Sequence, residues 1–397
     1  MVDRKAGQGP LAGVRVIDLT SVIMGPFATH ILADMGADVV KVESPEGDSF
    51  RNYRPLRNEG MAGSFLHLNR NKRSVVLDLK QPEAAEALDM LIATADVFVH
   101  SLRPKAIERL GYGYARVREI NPKIIYCGAF GFGAEGPYSD KAAYDDLIQA
   151  GSGLASLALA VHAEPAYMPT VLCDKLTGQV AACAIAAALF QRERTGQGEE
   201  IEVPMFETTI EFAMIEHMAG SAFVPPLGEP GFNRVLSPRR KPYRTQDSYA
   251  CILPYSDRNW VDFFKFTGRT ALIGDQRFAE LKHRVQHIDL LYEMVEEEAR
   301  RKTTAEWVSF CDSVSIPCMP VLSMTELPHD EHVKAVKLFE TAEHPSQGAY
   351  RVLRSPISFK SSPFRVARHA PRLGEHTQEV LAEVGFTENT MQARMES

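Results

Sequence analysis

The sequence lacks the positive balance of a nucleic-acid binder. Its 44 lysines and arginines are outnumbered by 51 aspartates and glutamates, for a net charge of −7, and it carries no basic tail. Its six cysteines, Cys127, Cys173, Cys183, Cys251, Cys311 and Cys318, form no C-x-x-C pair, so zinc and redox spacings find no support. Three lie in apolar stretches (IIYCGAF, VLCDK and AACAIAA), the setting of reduced, buried thiols in a reducing cytosol. His67, His100 and His162 share no ligand spacing, and no metal is expected. The opening MVDRKAGQGPLAG has no apolar core of a secretory signal. The longest apolar stretch, around Val180 to Phe190, is too short to span a bilayer. A cytoplasmic chain without membrane or nucleic-acid partners is the expectation. There is also no G-x-G-x-x-G after the first strand candidate and no G-x-x-x-x-G-K-[ST], hence no dinucleotide fingerprint at that turn and no P-loop.

What is present suffices for a large core. The 397 residues are 45% hydrophobic and 24% charged, the mixture of a globular protein with about two domains. Apolar runs at Val14–Leu19, Asp38–Val42, Ser74–Leu79, Val97–Leu102 and Lys123–Cys127 read as strands. Helical patterns at Ala28–Met35 and Pro82–Ala95 alternate with them. That alternation predicts βαβ units and a mainly parallel, doubly wound α/β sheet. After a glycine-rich stretch at 128–170, an alanine-rich helix is predicted at Lys175–Arg192, a strand at Glu200–Val203 and a helix at Phe206–Met218. Pro225, Pro226, Gly228, Pro230 and Gly231 mark a linker. A smaller α+β pattern follows from Tyr243 to about Val321. The polar stretch from Pro328 onward ends in an amphipathic helix at Thr377–Val384. The expected division is a large domain at 1–220 completed by 328–397, with linker and small domain at 221–327.

Three places could carry chemistry. Thr20–Pro26 occupies the first strand-to-helix turn, and such turns border the ligand crevice of an open α/β sheet. Asn69-Arg70-Asn71-Lys72-Arg73 and the trio Arg103, Lys105 and Arg109 are basic clusters able to hold phosphates. Placed at two such turns, the two clusters are expected to be brought together by the sheet. Asp174 stands immediately before the alanine-rich helix. It reads either as a helix N-cap or as an ionised carboxylate nucleophile favoured by the helix N-terminus.

Taken together, the segments PLAGVRVIDLTSVIMGPFATHILADMGADVVKVE, LNRNKRSVVLDL, ADVFVHSLRPKAIERLGYGY, NPKIIYCGAFGFGAEGPYSD, RERTGQGEEIEV and APRLGEHTQEVLAEVGF resemble the class III CoA-transferase family, of the formyl-CoA transferase and carnitine CoA-transferase type. The resemblance spans Gly9 to about Gly385. It implies a Rossmann-like large domain, a smaller α+β domain and an interlocked homodimer. It implies coenzyme A or acyl-CoA as substrate, with no permanently bound cofactor. By the same resemblance, CoA contacts fall on Ser21, Val22, Ile23 and Met24, on Asn71, Lys72 and Arg73, and on Ser101, Leu102, Ala106 and Arg109. The family's catalytic aspartate falls on Asp174 in VLCDKLTGQVAACAIAAAL.

The implied reaction moves CoA from an acyl-CoA donor, such as succinyl-CoA or another dicarboxylic acyl-CoA, to a free carboxylic acid. It runs through an aspartyl anhydride and an aspartyl-CoA thioester. Backbone N–H groups near Gly131, Gly133 or Asp174 are candidates for holding the oxyanion. Two departures stand out. PPLGEPGFNR holds only Gly228 and Gly231 where formyl-CoA transferase has a glycine-rich loop, and Ser101 replaces the asparagine of V-E-N-F. The alternatives are an α-methylacyl-CoA racemase and an inactive acyl-CoA-binding relative. Racemisation needs acid/base groups on two faces, and Tyr144 stands where the racemase pattern G-H-D has histidine.

Overall fold

The computed structural model describes residues 9–386; the expectations for the first eight residues and the last eleven lie outside that range. Two compact units divide the chain. The first comprises the described parts of Met1–Ala155, Tyr167–Ala213 and Lys334–Ser397, the second Ser156–Ala166 and Met214–Val333.

The first unit is built on six parallel strands: β1 (Arg15–Leu19), β2 (Asp38–Glu43), β3 (Lys72–Val76), β4 (Val97–His100), β5 (Ile125–Phe130) and β6 (Glu199–Pro204). Their order is β3-β2-β1-β4-β5-β6. The inner strands are short apolar runs because both faces are covered. On one face, Val16, Val39, Val99 and Cys127 pack with α1 (Met24–Asp34) and α7 (Leu172–Thr195). On the other, Ile17, Val40, Val75 and Phe98 pack with α3 (Pro82–Ala93), α5 (Tyr114–Ile120) and α15 (Thr377–Glu383). Shorter helices α2 (Gly63–Leu68), α4 (Pro104–Arg109) and α6 (Asp145–Gly151) belong to this unit, and α8 (Met205–His217) begins in it. This is the parallel, doubly wound arrangement that the strand and helix patterns predict, and the Rossmann-like large domain that the resemblance implies.

Small residues let α1 and α7 meet closely. A Cβ on Gly178 would lie 2.6 Å from the Met24 carbonyl oxygen. Gly196 ends α7 in the left-handed region at φ 73° and returns its N–H to the Arg192 carbonyl.

The second unit holds an antiparallel sheet of β7 (Tyr243–Arg244), β8 (Tyr249–Ile252) and β9 (Cys318–Pro320). Its helices include α9 (Asn233–Leu236), α10 (Asp257–Phe266), α11 (Leu281–Gln286), α12 (Ile288–Ala299), α13 (Thr304–Val314) and the start of α14 (Glu331–Ala335). Capping boxes at Ser256 and Thr303 start α10 and α13. Trp260, Phe263, Leu291 and Trp307 fill the core. This is a smaller α+β body.

The chain then returns to the first unit through the hairpin β10 (Phe339–His344) and β11 (Gly348–Leu353) and ends, within the described residues, in α15. The return covers the open edge of β3, which would otherwise be free to pair with another strand. His376 N donates to the Ser74 carbonyl, Asn71 N to the Arg368 carbonyl, and Val76 N to Thr377 Oγ1 at 3.0 Å.

Three local expectations change. The alanine-rich helix starts at Leu172 and runs to Thr195, so Asp174 is its third residue and not its N-cap. Asp is favoured in a helix's first turn as well as at its cap, which local pattern alone does not separate. At 24 residues, α7 is long and apolar enough, by length and composition, to cross a bilayer, although it serves here as a core helix. Cys183 on α7 is exposed, whereas Cys127 and Cys173 are buried.

Arg51 tests how firmly the return is held. It is 2% exposed. It donates to both Glu43 oxygens at 2.7 and 2.6 Å and to the Pro371 carbonyl at 3.1 Å. Arg51→Ala leaves Glu43 buried without its counter-charge and is expected to destabilise the fold by about 3–5 kcal/mol in urea unfolding. A loss near that of a surface change, within about 0.5 kcal/mol, would overturn this account.

Candidate active site

The strand order reverses between β1 and β4, which opens a crevice at their carboxyl ends. The turn after β1 forms one wall. Ser21 N donates to Ser101 Oγ, just past β4, at 3.3 Å. The structure therefore brings the Ser21–Met24 turn together with Ser101. Val22 sits at φ 70°, and Met24 is 7% exposed as it starts α1.

Asp174 reaches the same edge from the other side. Both α1 and α7 run from the carboxyl edge of the sheet, since α1 follows β1 and α7 precedes β6. Gly178 packs on Met24, and Asp174 lies one turn earlier on the same face of α7. Its carboxylate is half-buried. The Asp174 N–H donates to Asp145 Oδ1 at 3.0 Å, and the other Asp145 oxygen accepts from Gln149 Nε2 at 2.6 Å. Asp145 thus caps the first turn of α7 from α6. Burial, and then the nearby Asp145 carboxylate, push the Asp174 carboxyl up to about 7. The helix N-terminus does not keep it in the ordinary carboxylate range as expected, because desolvation and like charge outweigh it.

The two basic clusters do not meet. In a parallel sheet, residues that open a strand lie at the amino edge. Lys72 and Arg73 are the first residues of β3, whereas Arg103, Lys105 and Arg109 follow the carboxyl end of β4. Three strand positions also separate them, about 14 Å at the usual spacing. Asn71 bonds Asp34 and the backbone of Ala367 and Arg368. Lys72 is fully buried, with its ammonium on Asp18 Oδ2 at 3.1 Å and Asn69 Oδ1 at 3.0 Å. Arg73, 2% exposed, pairs with Asp38 and with Glu383 at 2.6 Å each. All three side chains are committed to the framework in this structure.

The second cluster is open. Arg103, Lys105, Ala106, Glu108, Arg109 and Asp140 line a cleft of about 490 Å³. Asp140 holds two of its cations, through its carbonyl to Arg103 at 2.7 Å and its carboxylate to Lys105. Leu102 packs instead against the apolar core on the α3 face. Tyr144 is 73% exposed at the start of α6. The Gly133 N–H is already bonded to Glu207 Oε1 at 3.1 Å. Among the described residues, no group of three or more His, Cys, Asp and Glu could hold a metal ion.

In the sequence, Asp145 stands out only as the aspartate after Tyr144, in the last place of the G-H-D pattern. Its capping of Asp174 spans 29 positions, and no local pattern announces it.

The raised Asp174 carboxyl has a consequence for stability. A group whose folded pKa lies above its unfolded value stabilises the fold fully below the unfolded value, near 3.9, and loses that contribution as pH rises through about 7. Asp174→Asn removes the penalty on the anion. Its melting temperature is expected to exceed that of the unmodified chain at pH 8 and to show no such gain at pH 4. An equal shift at both pH values would refute the assignment.

A family model described as CoA-transferase family III matches residues 11–377. The succinate–glutarate CoA-transferase of Agrobacterium fabrum is 32% identical over 400 residues, covering 98% of this chain and 99% of that protein. The formyl-CoA:oxalate CoA-transferase of Streptomyces coelicolor is 32% identical, covering 95% of each. Among solved structures, a Mycobacterium tuberculosis protein crystallised as a mutant superposes with a TM-score of 0.83 at 29% identity, covering 95% of this chain and 99% of that one. A CaiB/BaiF family protein from Brucella suis gives 0.79 at 29% identity, covering 95% and 100%. With a doubly wound sheet, an open crevice and these relatives along nearly its whole length, the chain belongs to CoA-transferase family III and is an enzyme of that class.

Proposed function

We propose that the chain transfers CoA from a dicarboxylic acyl-CoA, of the succinyl-CoA type, to a free carboxylic acid, with Asp174 as the nucleophile. One observation carries the reading: a half-buried carboxylate in the first turn of α7, at the edge of the crevice bordered by Ser21 and Ser101. The named activities of the Agrobacterium relative and of the mouse succinyl-CoA:glutarate CoA-transferase, 32% identical, support the dicarboxylic class.

The chemistry balances on one residue. An Asp174 oxygen attacks the donor thioester carbonyl, the C–S bond breaks, and CoA leaves as its thiolate. The thiolate then attacks the aspartyl carbonyl of the mixed anhydride, which frees the donor acid and leaves an aspartyl-CoA thioester. The acceptor carboxylate attacks that thioester and expels the thiolate again. Attack of the thiolate on the acceptor's acyl carbon completes the new acyl-CoA and restores Asp174. A carboxylate is a weak nucleophile, and partial burial strengthens it by removing water from around its charge.

For CoA, the reading assigns the Ser21–Met24 turn, Ser101, Leu102 and Ala106 to contact with the substrate. Arg109, with Arg103 and Lys105, faces its phosphates. The half-buried Asn71 and the buried Lys72 and Arg73 hold the sheet behind them. A second copy of the chain is the proposed partner. α7 is apolar around most of its circumference yet leaves Val180 at 39% and Phe190 at 64% exposure, and an apolar helix normally has its whole surface covered.

Asp174→Ala is expected to abolish transfer while CoA still binds. Hydroxylamine should trap an adduct on the peptide containing Asp174 in the unmodified chain, with a panel of acyl-CoA donors and acids followed by mass spectrometry. Full transfer by folded Asp174→Ala would end the covalent scheme. The attacking form is the anion, so the rate should rise with pH through about 7. Asp145→Asn removes the neighbouring charge and should move that limb to lower pH. A limb unmoved in Asp145→Asn would count against the pairing. Arg109→Ala should weaken CoA by about 1.5–3 kcal/mol where water is excluded, and acyl-pantetheine, lacking the nucleotide phosphates, should lose much less.

A further inference from the structure

The β1–α1 turn is held in a conformation that its own residues disfavour. Val22 lies at φ 70°, and a β-branched residue there is a genuine outlier that persists only when its surroundings impose it. The Val22 N–H donates to both oxygens of Asp48, at 3.1 and 3.2 Å. Lys41 Nζ donates to the Thr20 carbonyl at 2.7 Å and pairs with Asp48 Oδ2 at 2.9 Å. One carboxylate therefore fixes the turn directly at Val22 and indirectly, through Lys41, at Thr20. Thr20 N is held by Asp18 Oδ1 at 2.9 Å, and a Cβ on Gly25 would fall 2.3 Å from Thr20 Cβ. The turn is folded tightly on itself.

Asp48 is equally well fixed. It is 5% exposed. Its N–H donates to Glu43 Oε2 at 3.0 Å, and its Oδ1 accepts from Phe50 N at 2.9 Å. Burial works against its charge, but Lys41 and the backbone donors outweigh burial and keep the carboxyl below its ordinary value. The acceptor facing Val22 is thus a constant anion that water cannot replace.

We propose that Asp48 is a positioning residue for CoA transfer: with Lys41 it imposes the left-handed backbone at Val22 and so shapes the crevice wall that the acyl-CoA meets. It touches no reacting atom and acts only through the turn. The proposal rests on the reading above that Ser21–Met24 borders CoA.

The test uses the full chain with Asp48→Ala, Asp48→Asn, and Asp48→Ala combined with Val22→Gly. CoA binding is measured by calorimetry, transfer by KM and kcat, and amide exchange over residues 20–25 by mass spectrometry. Asp48→Ala should raise the KM for acyl-CoA and the Kd for CoA about tenfold, the loss of one charge-assisted bond, with kcat changed less. Exchange in the turn should quicken. Asp48→Asn, which keeps an oxygen acceptor, should lose less. Glycine adopts φ 70° freely, so Val22→Gly should recover much of the affinity lost in Asp48→Ala, a rescue that a merely structural Asp48 would not show. Unchanged KM and Kd in Asp48→Ala, or no rescue by Val22→Gly, overturns the proposal. Should Asp48→Ala not fold, Asp48→Asn decides: turn exchange and KM must rise together, and if either stays at its unmodified value the proposal fails. CoA binding by the unmodified chain that Asp48→Ala leaves intact would sink only this proposal. Absence of CoA binding by the unmodified chain would sink the functional reading with it.

Discussion

On the α1 face of the sheet, at the β1–β3 end, the usual apolar filling gives way to charge. Asp18, Lys41, Glu43 and Lys72 point to that face from three adjacent strands, all 5% exposed or less. Burial holds the Lys72 ammonium down at about 8 in spite of Asp18. An ion in such a place without its partner is penalised by several kcal/mol, whereas a full apolar replacement of the set is often neutral or stabilising. What the charges add is therefore fixity more than stability. Each partner has one acceptable location, and the partners belong to separate parts of the chain: Thr20 and Thr29 on Asp18, Asp48 on Lys41, Arg51 on Glu43. The crevice wall, the loop after β2 and the returning C-terminal segment are all registered against this one patch of sheet.

The sheet itself was legible because its inner strands are buried on both faces. VRVIDL and DVVKV stand out as short apolar runs, and the helices between them leave only a parallel arrangement. The charges inside those same runs were not legible as a network. Asp18, Lys41 and Lys72 lie 23 to 54 positions apart, and their pairing depends on register that no single segment contains. For the same reason the cluster at 69–73 reads locally as a free phosphate binder. Its partners Asp34, Asp38 and Glu383 are supplied by α1, β2 and α15. The resemblance picked out Asp174, but the causes of its raised carboxyl, burial and then the Asp145 cap from α6, are tertiary.

That cap joins two opposed demands. The first turn of α7 has backbone N–H groups that need acceptors, and Asp145 supplies one at Asp174 N. The same carboxylate raises the energy of the Asp174 anion beside it. The helix is secured by the group that makes its third residue a less comfortable ion, and a carboxylate that is poorly stabilised at rest has more to gain by bonding to carbon. Gln149, on the second Asp145 oxygen, keeps that arrangement in register.

The return of residues 334–386 to the first unit bears on the order in which the molecule can be made. During synthesis the main part of the second unit, Met214–Val333, leaves the ribosome as one continuous stretch, after its other segment Ser156–Ala166, and the unit can fold as soon as that stretch is out, since domains generally fold as units. The first unit cannot. Until the last few dozen residues emerge, β3 has a bare edge, Arg51 lacks the Pro371 carbonyl, and Arg15 and Arg73 lack Glu383. The part of the chain translated first is thus completed last, with its crevice half assembled and its sheet edge exposed for the whole time that the second unit is being translated.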